Sequence, residues 1–309
     1  MGADEAAILD RGRCEHRSRP FVPHPAGGPA RAGPPVSFVA SQTLLLFPPF
    51  TTRCPTARSG ISRLGIVLLC ELHAHSTWSD GALSLAELVD AYGNAGFDLL
   101  CVSDHALAGG DPWLAVQGTE ARHVHAGNYA AYLKAIEEEA VRARSLHGLL
   151  LVPGLEITCN DPDPGRAAHA VAIGLRSFVS PDVGIAAAMR AAREAGAAIV
   201  AAHPHGEERD AFPLRTTQRF FREWDELGPL VDRVELFNRH DVFPWVAARR
   251  LPAVACGDFH RPEHLSSWKT LLPCAWEERA AVAHLRSRKP AYLMPFAAER
   301  LLAEPRVAA

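Results

Sequence analysis

His73 and His75 stand two residues apart at the end of an apolar run, in the segment HAHSTWSDG, which also carries Asp80 before Gly81. Side chains two apart on a strand project to the same side. Two imidazoles offered together, with an aspartate brought back by an Asp-Gly turn, make a mixed nitrogen and oxygen grip for a divalent ion. Ser103-Asp104-His105 ends the next apolar run and adds His105 as a nitrogen donor. Asp104 either orients a ligand from behind or caps the segment that follows. Glu156, in GLEIT, closes a further apolar run. A carboxylate there is costly to bury unless it is paired or binds metal. It reads as a salt-bridge partner of an arginine or as a bridge between two ions. His203, in AHPH, closes another run before Pro204, which stops the strand. Asp258 and His260, in GDFH, end the last. His169 opens its run, HAVAIG, and joins the others only if a hairpin after Glu156 returns the chain to the same rim. Each motif alone is as well explained by surface histidines or ion pairs. Their recurrence at strand ends along one continuous stretch favours a metal site.

The elements that must position these groups follow from hydrophobic periodicity. Apolar runs at 66–72, 98–103, 149–156, 169–174, 197–203, 232–237 and 252–258 are predicted strands. Helices are predicted from Leu83 to about residue 96 with Ser84 as N-cap, over 128–148 with Asn128 capping and Gly148 at the end, and over 186–196 and 278–287. Strands alternating with helices predict an α/β fold built on a parallel sheet or barrel. In a barrel the strand ends converge on one face, where active sites sit. Residues 1–62 differ: they are rich in Pro, Gly, Arg and Ala, as in HPAGGPARAGPP, and show no helical or strand period. They are expected to be a disordered N-terminal extension or an over-extended start, dispensable for a domain over 63–300.

Composition narrows the function classes. Hydrophobic residues make up 48% of the chain, and the net charge of -3 gives no global basic field for a polyanion or an acidic surface. Nucleic acid is therefore a possible but disfavoured partner. No apolar run is long enough to span a membrane. Seven cysteines, with no CxxC pair, fit reduced thiols and a cytoplasmic location. Fifteen histidines against three methionines, many of them beside Asp, Glu or another His, suit metal chemistry.

Taken in order, HAHSTWSDG, SDH, GLEIT, HAVAIG, AHPH and GDFH resemble the polymerase and histidinol phosphatase (PHP) family over roughly residues 69–260. The resemblance implies a distorted, TIM-like (β/α)7 barrel with two or three divalent ions in a cleft at the strand ends. His73, His75, Asp80, His105, Glu156, His203, Asp258 and His260 match its ligand positions, and His169 matches one found in part of the family. Asp80, His105, Glu156 and Asp258 are expected to serve catalysis directly. Mixed imidazole and carboxylate donors suit Mn, Fe or Zn better than Mg or Ca. The implied reaction is hydrolysis of a small phosphomonoester, a nucleotide or sugar-like phosphate, by a metal-activated hydroxide. The ligand set resembles the small-phosphatase branch. However, only residues 175–201 lie between HAVAIG and AHPH, so the extra domain that some nucleotide phosphatases of the family insert there is expected to be missing. His205, Arg239, Arg261 and Lys269 are candidate phosphate contacts, and Trp113, Tyr129 and Tyr132 candidate pocket walls. The rival readings are a phosphodiesterase or nuclease using the same ions, a metal-binding module without turnover, and hydrolysis of a non-phosphate bond.

Overall fold

Short apolar strands alternate with amphipathic helices through residues 67–117, 122–206 and 217–298, the part of the chain that the computed structural model describes. The extension expected at 1–62 lies outside the described residues. Along the chain come β1 (Leu68–Glu71), α1 (Leu85–Asn94), β2 (Leu99–Val102), β3 (His105–Leu107), α2 (Pro112–Gln117), α3 (Tyr129–His147), β4 (Leu150–Cys159) and β5 (Ala168–Ile173). There follow α4 (Ile185–Glu194), β6 (Ala198–Ala202), α5 (Arg219–Arg222), α6 (Trp224–Leu227), β7 (Arg233–Asn238), β8 (Asp241–Val242) and α7 (Pro244–Ala248). The series ends with β9 (Ala253–Cys256), β10 (Trp268–Leu272), α8 (Glu278–Arg286) and β11 (Tyr292–Pro295).

The helices form where local chemistry asks for them. Ser84 and Glu87 make a reciprocal capping box that starts α1, and Leu85, Leu88, Val89 and Tyr92 then fall on one buried stripe. Gly148, at φ 60°, ends α3 in the left-handed region that glycine enters without a Cβ clash. Asn128 precedes α3 as expected, but its side chain does not cap the helix. It accepts from the His125 N–H and donates to the His123 carbonyl, so it braces the preceding turn instead.

The sheet is mixed. Its hydrogen-bonded path runs β11-β10-β1-β2-β4-β5-β6-β7-β8, with β3 beside β4 and β9 beside β7. β1 pairs parallel with β2, β2 with β4, β6 with β7, and β7 with β9. β5 breaks the parallel rule, lying antiparallel to both β4 and β6. The cause is local: residues 160–167 carry no helix, so β4 returns directly as a hairpin. β10 and β11 were not foreseen in the sequence; β10 pairs antiparallel with β1. Beyond β9, Phe259 meets the continuation of β1 in a parallel bridge with Ala74. Thr270 on β10 donates through Oγ1 to the Ala255 carbonyl and accepts from its N–H, each at 2.8 Å.

Apolar residues pack on both faces of the sheet. Leu68, Cys70, Leu72, Val171, Val200 and Cys256 belong to one buried cluster that also holds Leu285 of α8. Leu100, Val102, Ala170 and Ile199 belong to the other, with α1, α3 and α4. Strands covered on both sides read as continuous apolar runs rather than alternating ones. The cysteines described, Cys70, Cys101, Cys159, Cys256 and Cys274, are all free thiols. No helix among the described residues is long and apolar enough to cross a membrane.

Candidate metal centre

The topology delivers the singled-out side chains to one place. His73 and His75 follow β1, and Asp80 sits in the turn after them. His105 opens β3 rather than closing β2, and β3 pairs it directly with Glu156 on β4. Glu156 is consequently mid-strand and not at a strand end as expected, because neighbours on both sides let β4 run on to Cys159. The β4–β5 hairpin sets His169 opposite Thr158, so the antiparallel return anticipated for His169 places it beside Glu156. His203 follows β6, and Asp258 and His260 follow β9.

Three overlapping groups result: His75, Asp80, His105 and His260; His73, His75 and Glu156; and Glu156, His169 and His203. In the first, Asp80 Oδ1 lies 3.2 Å from His260 Nε2, 3.6 Å from His105 Nε2 and 4.0 Å from His75 Nδ1. In the second, the Nε2 atoms of His73 and His75 are 3.0 Å apart, and Glu156 Oε2 is 3.3 Å from each. Asp258 Oδ1 joins them at 3.6 and 3.4 Å. Four ligands about 2.1 Å from a tetrahedral ion stand about 3.4 Å from one another, and the separations of Glu156 Oε2 and Asp258 Oδ1 from the two imidazoles, 3.3 to 3.6 Å, are close to that value. In the third, Glu156 Oε1 lies 3.1 Å from His169 Nδ1 and 3.2 Å from His203 Nε2. Glu156 thus turns one oxygen to each of two groups.

The donor chemistry fits divalent cations. Glu156 is fully buried, and its Oε2 makes no well-directed hydrogen bond although His105 Nδ1 lies 2.8 Å away and the Nε2 atoms of His73 and His75 lie 3.3 Å away. A buried anionic oxygen left in this way is expensive unless a cation meets it. Burial by itself would disfavour the charges on Glu156 and Asp258. His105 and His73 near Glu156, and His73, His260 and Arg239 near Asp258, hold both carboxyls well below the ordinary range. Burial also opposes charge on His73, yet the Asp258, Glu156 and Glu235 carboxylates raise it well above the usual histidine value. In the same way Glu156 and Asp80 raise His105, and Asp258 with Asp80 pushes His260 up to about 10. His75 and His169 are lowered, chiefly by burial. The carboxylates therefore hold protons on several imidazole nitrogens that a cation would displace.

A layer of groups behind these atoms fixes them, and most of it was not picked out in the sequence. Glu235 on β7 accepts from His73 Nδ1–H at 2.9 Å through Oε1, which leaves Nε2 for the cluster. Its Oε2 accepts from the His203 N–H at 2.6 Å and from the Asn238 amide at 2.7 Å. Glu235 was passed over inside the strand run DRVELF; the argument applied to Glu156, a carboxylate in an apolar strand, would have found it. Asp104 accepts from both the backbone N–H and the hydroxyl of Ser76 and of Ser79, and so orients the turn between His75 and Asp80. His203, Arg239 and Asp258 have φ of 28°, 53° and 42°. Residues with a Cβ are rarely found there, and strain of this kind gathers at functional sites.

The expected phosphate contacts separate. Arg239 is at the centre, donating through Nε to the Asp258 carbonyl and pairing through Nη2 with Asp258 Oδ2 at 2.9 Å. His205 is half-buried with its ring 5.1 Å from that of Phe243. Arg261 is 64% exposed and 3.9 Å from Glu263. Lys269 is not at the rim. It is fully buried on β10, ion-paired with Glu71 and bonded to Ser267 Oγ, because strand alternation turns it inward. Tyr129 and Tyr132 do not wall a pocket either. Both are buried, with hydroxyls donating to the Leu175 carbonyl and to the Val102 and Gly154 carbonyls respectively. Trp113 lies partly buried in α2.

No family model and no curated protein matches the chain. Solved structures do. A two-domain Bacteroides vulgatus protein containing a predicted PHP-like metal-dependent phosphoesterase is 20% identical over 74% of this chain, with a TM-score of 0.49. The match spans 65% of that protein, so this chain corresponds to less than two thirds of its length. A Bifidobacterium adolescentis structure, provisionally a metal-dependent phosphoesterase, is 17% identical over 63% of this chain and 88% of its own, with a TM-score of 0.36. Endonuclease Q, bound to a duplex with an abasic lesion, is 13% identical over 68% of this chain and 54% of its own, with a TM-score of 0.38.

Proposed function

We propose that this chain is a metal-dependent phosphoesterase that hydrolyses a small phosphomonoester, a nucleotide or sugar-like phosphate. The observation that carries the reading is Glu156, whose two oxygens face two separate imidazole clusters, with a third cluster around Asp80 alongside. Adjacent nitrogen and oxygen clusters joined by one carboxylate suit two or three ions of Mn, Fe or Zn. His73, His75, Asp80, His105, Glu156, His169, His203, Asp258 and His260 are the residues that would hold them. Bound there, the ions would polarise a phosphoryl oxygen and make a water nucleophilic near neutral pH.

The protein's own groups supply position and charge. Glu235 keeps the His73 proton on Nδ1 and so turns its Nε2 into the cluster, while His105 places Nδ1 2.8 Å from both Thr158 Oγ1 and Glu156 Oε2 and turns Nε2 toward Asp80. Arg239 neutralises the outer oxygen of Asp258 and stands ready at the rim for a phosphoryl oxygen. His205 and Arg261 remain candidates for the outer substrate. The Ala74–Phe259 bridge between the continuations of β1 and β9 supports reading β1, β2, β4, β5, β6, β7 and β9 as a distorted seven-stranded barrel.

The test is metal analysis and turnover of protein reconstituted anaerobically with Mn, Fe or Zn. At least two ions per chain are expected, with kcat/KM higher for small monoesters than for small diesters or short single strands. At most one ion would remove the cluster reading. Cleavage of oligonucleotides with no monoester turnover would replace the phosphatase with a nuclease.

A further inference from the structure

The segment His123-Val124-His125-Ala126-Gly127 carries none of the motifs above, yet with Asn128 it forms one wall of a cavity of about 340 Å³ beside the centre. Thr77, Trp78, Arg122, His123, His125 and Asn128 line it. Both walls adjoin candidate ligands. Thr77 and Trp78 belong to the turn between His75 and Asp80. On the other side, the Val124 N–H donates to the His105 carbonyl at 2.8 Å. Val124 is fully buried and serves as an anchor, so His123 and His125, one residue to either side of it, are carried at a fixed place.

The wall is built rather than merely looped. Asn128 accepts from the His125 N–H at 2.7 Å and donates to the His123 carbonyl at 3.0 Å. The Gly127 N–H donates to His125 Nδ1 at 3.1 Å, which leaves the ring proton on Nε2 as a donor. Any Cβ at residue 127 would press on that ring, 3.1 Å from its Cε1, so glycine permits the contact. Arg122 is exposed, and among the described residues no carboxylate pairs with it. Among the described residues that line it there is no carboxylate, although Asp80 stands close by in the chain. The lining therefore offers an unpaired guanidinium, imidazoles and a hydroxyl, which is the chemistry of an anion site.

We propose that this pocket receives a second anionic group of the substrate, a phosphate or carboxylate carried on the same small molecule as the reacting phosphate. The proposal rests on the phosphoesterase reading and narrows it to substrates with two anionic groups. Arg122 and His125 grip the distal group, and Trp78 walls the linker between the two.

The experiment titrates alkane-α,ω-bisphosphonates of graded spacer length, and the matching alkyl monophosphonates, into the metal-loaded full chain. At one spacer length the bisphosphonate is expected to bind on the order of ten- to a hundredfold tighter, the scale of charge-assisted hydrogen bonds. Arg122→Gln and His125→Ala are each expected to bring that ratio toward one. Equal affinities at every spacer length overturn the proposal. So does a preference that persists in both variants, because the ions would then be gripping both phosphonates. An aryl monophosphonate that binds best would assign the pocket to an aromatic ring on Trp78 and also overturn it. Absence of turnover with the ratio intact would count against the hydrolase reading and leave the anion pocket standing.

Discussion

Asp258 illustrates how much one carboxylate does at this centre. Its Oδ1 approaches His73 and His75, its Oδ2 pairs with Arg239, and its backbone is held at a positive φ. Asp258→Asn keeps the shape and removes the anion. It is expected to fold normally and to lose activity on the order of a hundredfold or more, since an amide is a weak ligand. Full activity in that variant would take Asp258 away from the ions. Glu235 acts one layer back, on His73 Nδ1 and the His203 N–H. Glu235→Gln should weaken metal binding by about ten- to a hundredfold, the usual cost of losing a carboxylate behind a ligating histidine. Competition with a chelator of known affinity measures it, and an unchanged dissociation constant would show that Glu235 orients nothing. Protonation sets a further expectation. His73, His105 and His260 have raised values, so in the metal-free chain they keep their protons up to higher pH than a free histidine. Incoming ions must expel those protons, so loading near neutral pH should release them and apparent affinity should fall as pH falls. Calorimetry in buffers of different ionisation enthalpy counts the protons; a count of zero would contradict the proton-filled cluster.

At the level of elements, the centre depends on how the continuation of β1 meets that of β9. Glu71 ends β1 and accepts from the His73 N–H at 3.2 Å and from the Gly257 N–H at 2.8 Å. The same carboxylate pairs with the buried Lys269 on β10 and accepts from the Tyr92 hydroxyl of α1 at 3.0 Å. A Cβ at Gly257 would run into both Lys269 Nζ and Glu71 Oε2, so only glycine lets the strand pass. One buried ion pair thus aligns the segments that carry His73 and Asp258. Removing one partner strands the other charge. Lys269→Met is expected to destabilise the protein by about 3–5 kcal/mol, and the double change Glu71→Gln with Lys269→Met by clearly less. Urea unfolding of the metal-free chain compares them. A single variant no worse than the double would mean the pair is not load-sharing with the strands.

For the molecule as a whole, ions that bind only the folded chain must raise its stability by mass action. Removing metal with a chelator is expected to lower Tm, and adding Mn, Fe or Zn back to restore it. A melting temperature indifferent to metal, with the ions shown to be bound and released, would point to a site formed equally in the unfolded chain. The overall charge of -3 adds no long-range attraction for a polyanion. On the proposed function, discrimination among substrates would fall to short-range groups such as Arg239 and the lining around Trp78.

Much of the candidate site's layout was legible before any tertiary structure. Strand ends announce themselves by where an apolar run stops, and His73, His75, His105, His203, Asp258 and His260 all lie at or near such stops. The antiparallel return of His169 could be inferred as well, because the hairpin needed only the short, turn-rich stretch DPDPGRAA. Periodicity is a local property, and these positions are set locally. Lys269 shows where that logic ends: no strand was predicted over SSWKT, and only pairing with β1 made it a strand with an inward lysine. The same holds for Glu235, whose partners His73 and His203 come from the segments after β1 and β6, and for Glu71, whose bond to Gly257 joins residues 186 apart in sequence. The sequence by itself determined which side chains could serve as ligands and the order in which they arrive. The tertiary structure alone decided which oxygen of Glu156 faces which imidazoles, and which charges lie buried behind them, because those relations depend on contacts between strands that no local pattern encodes.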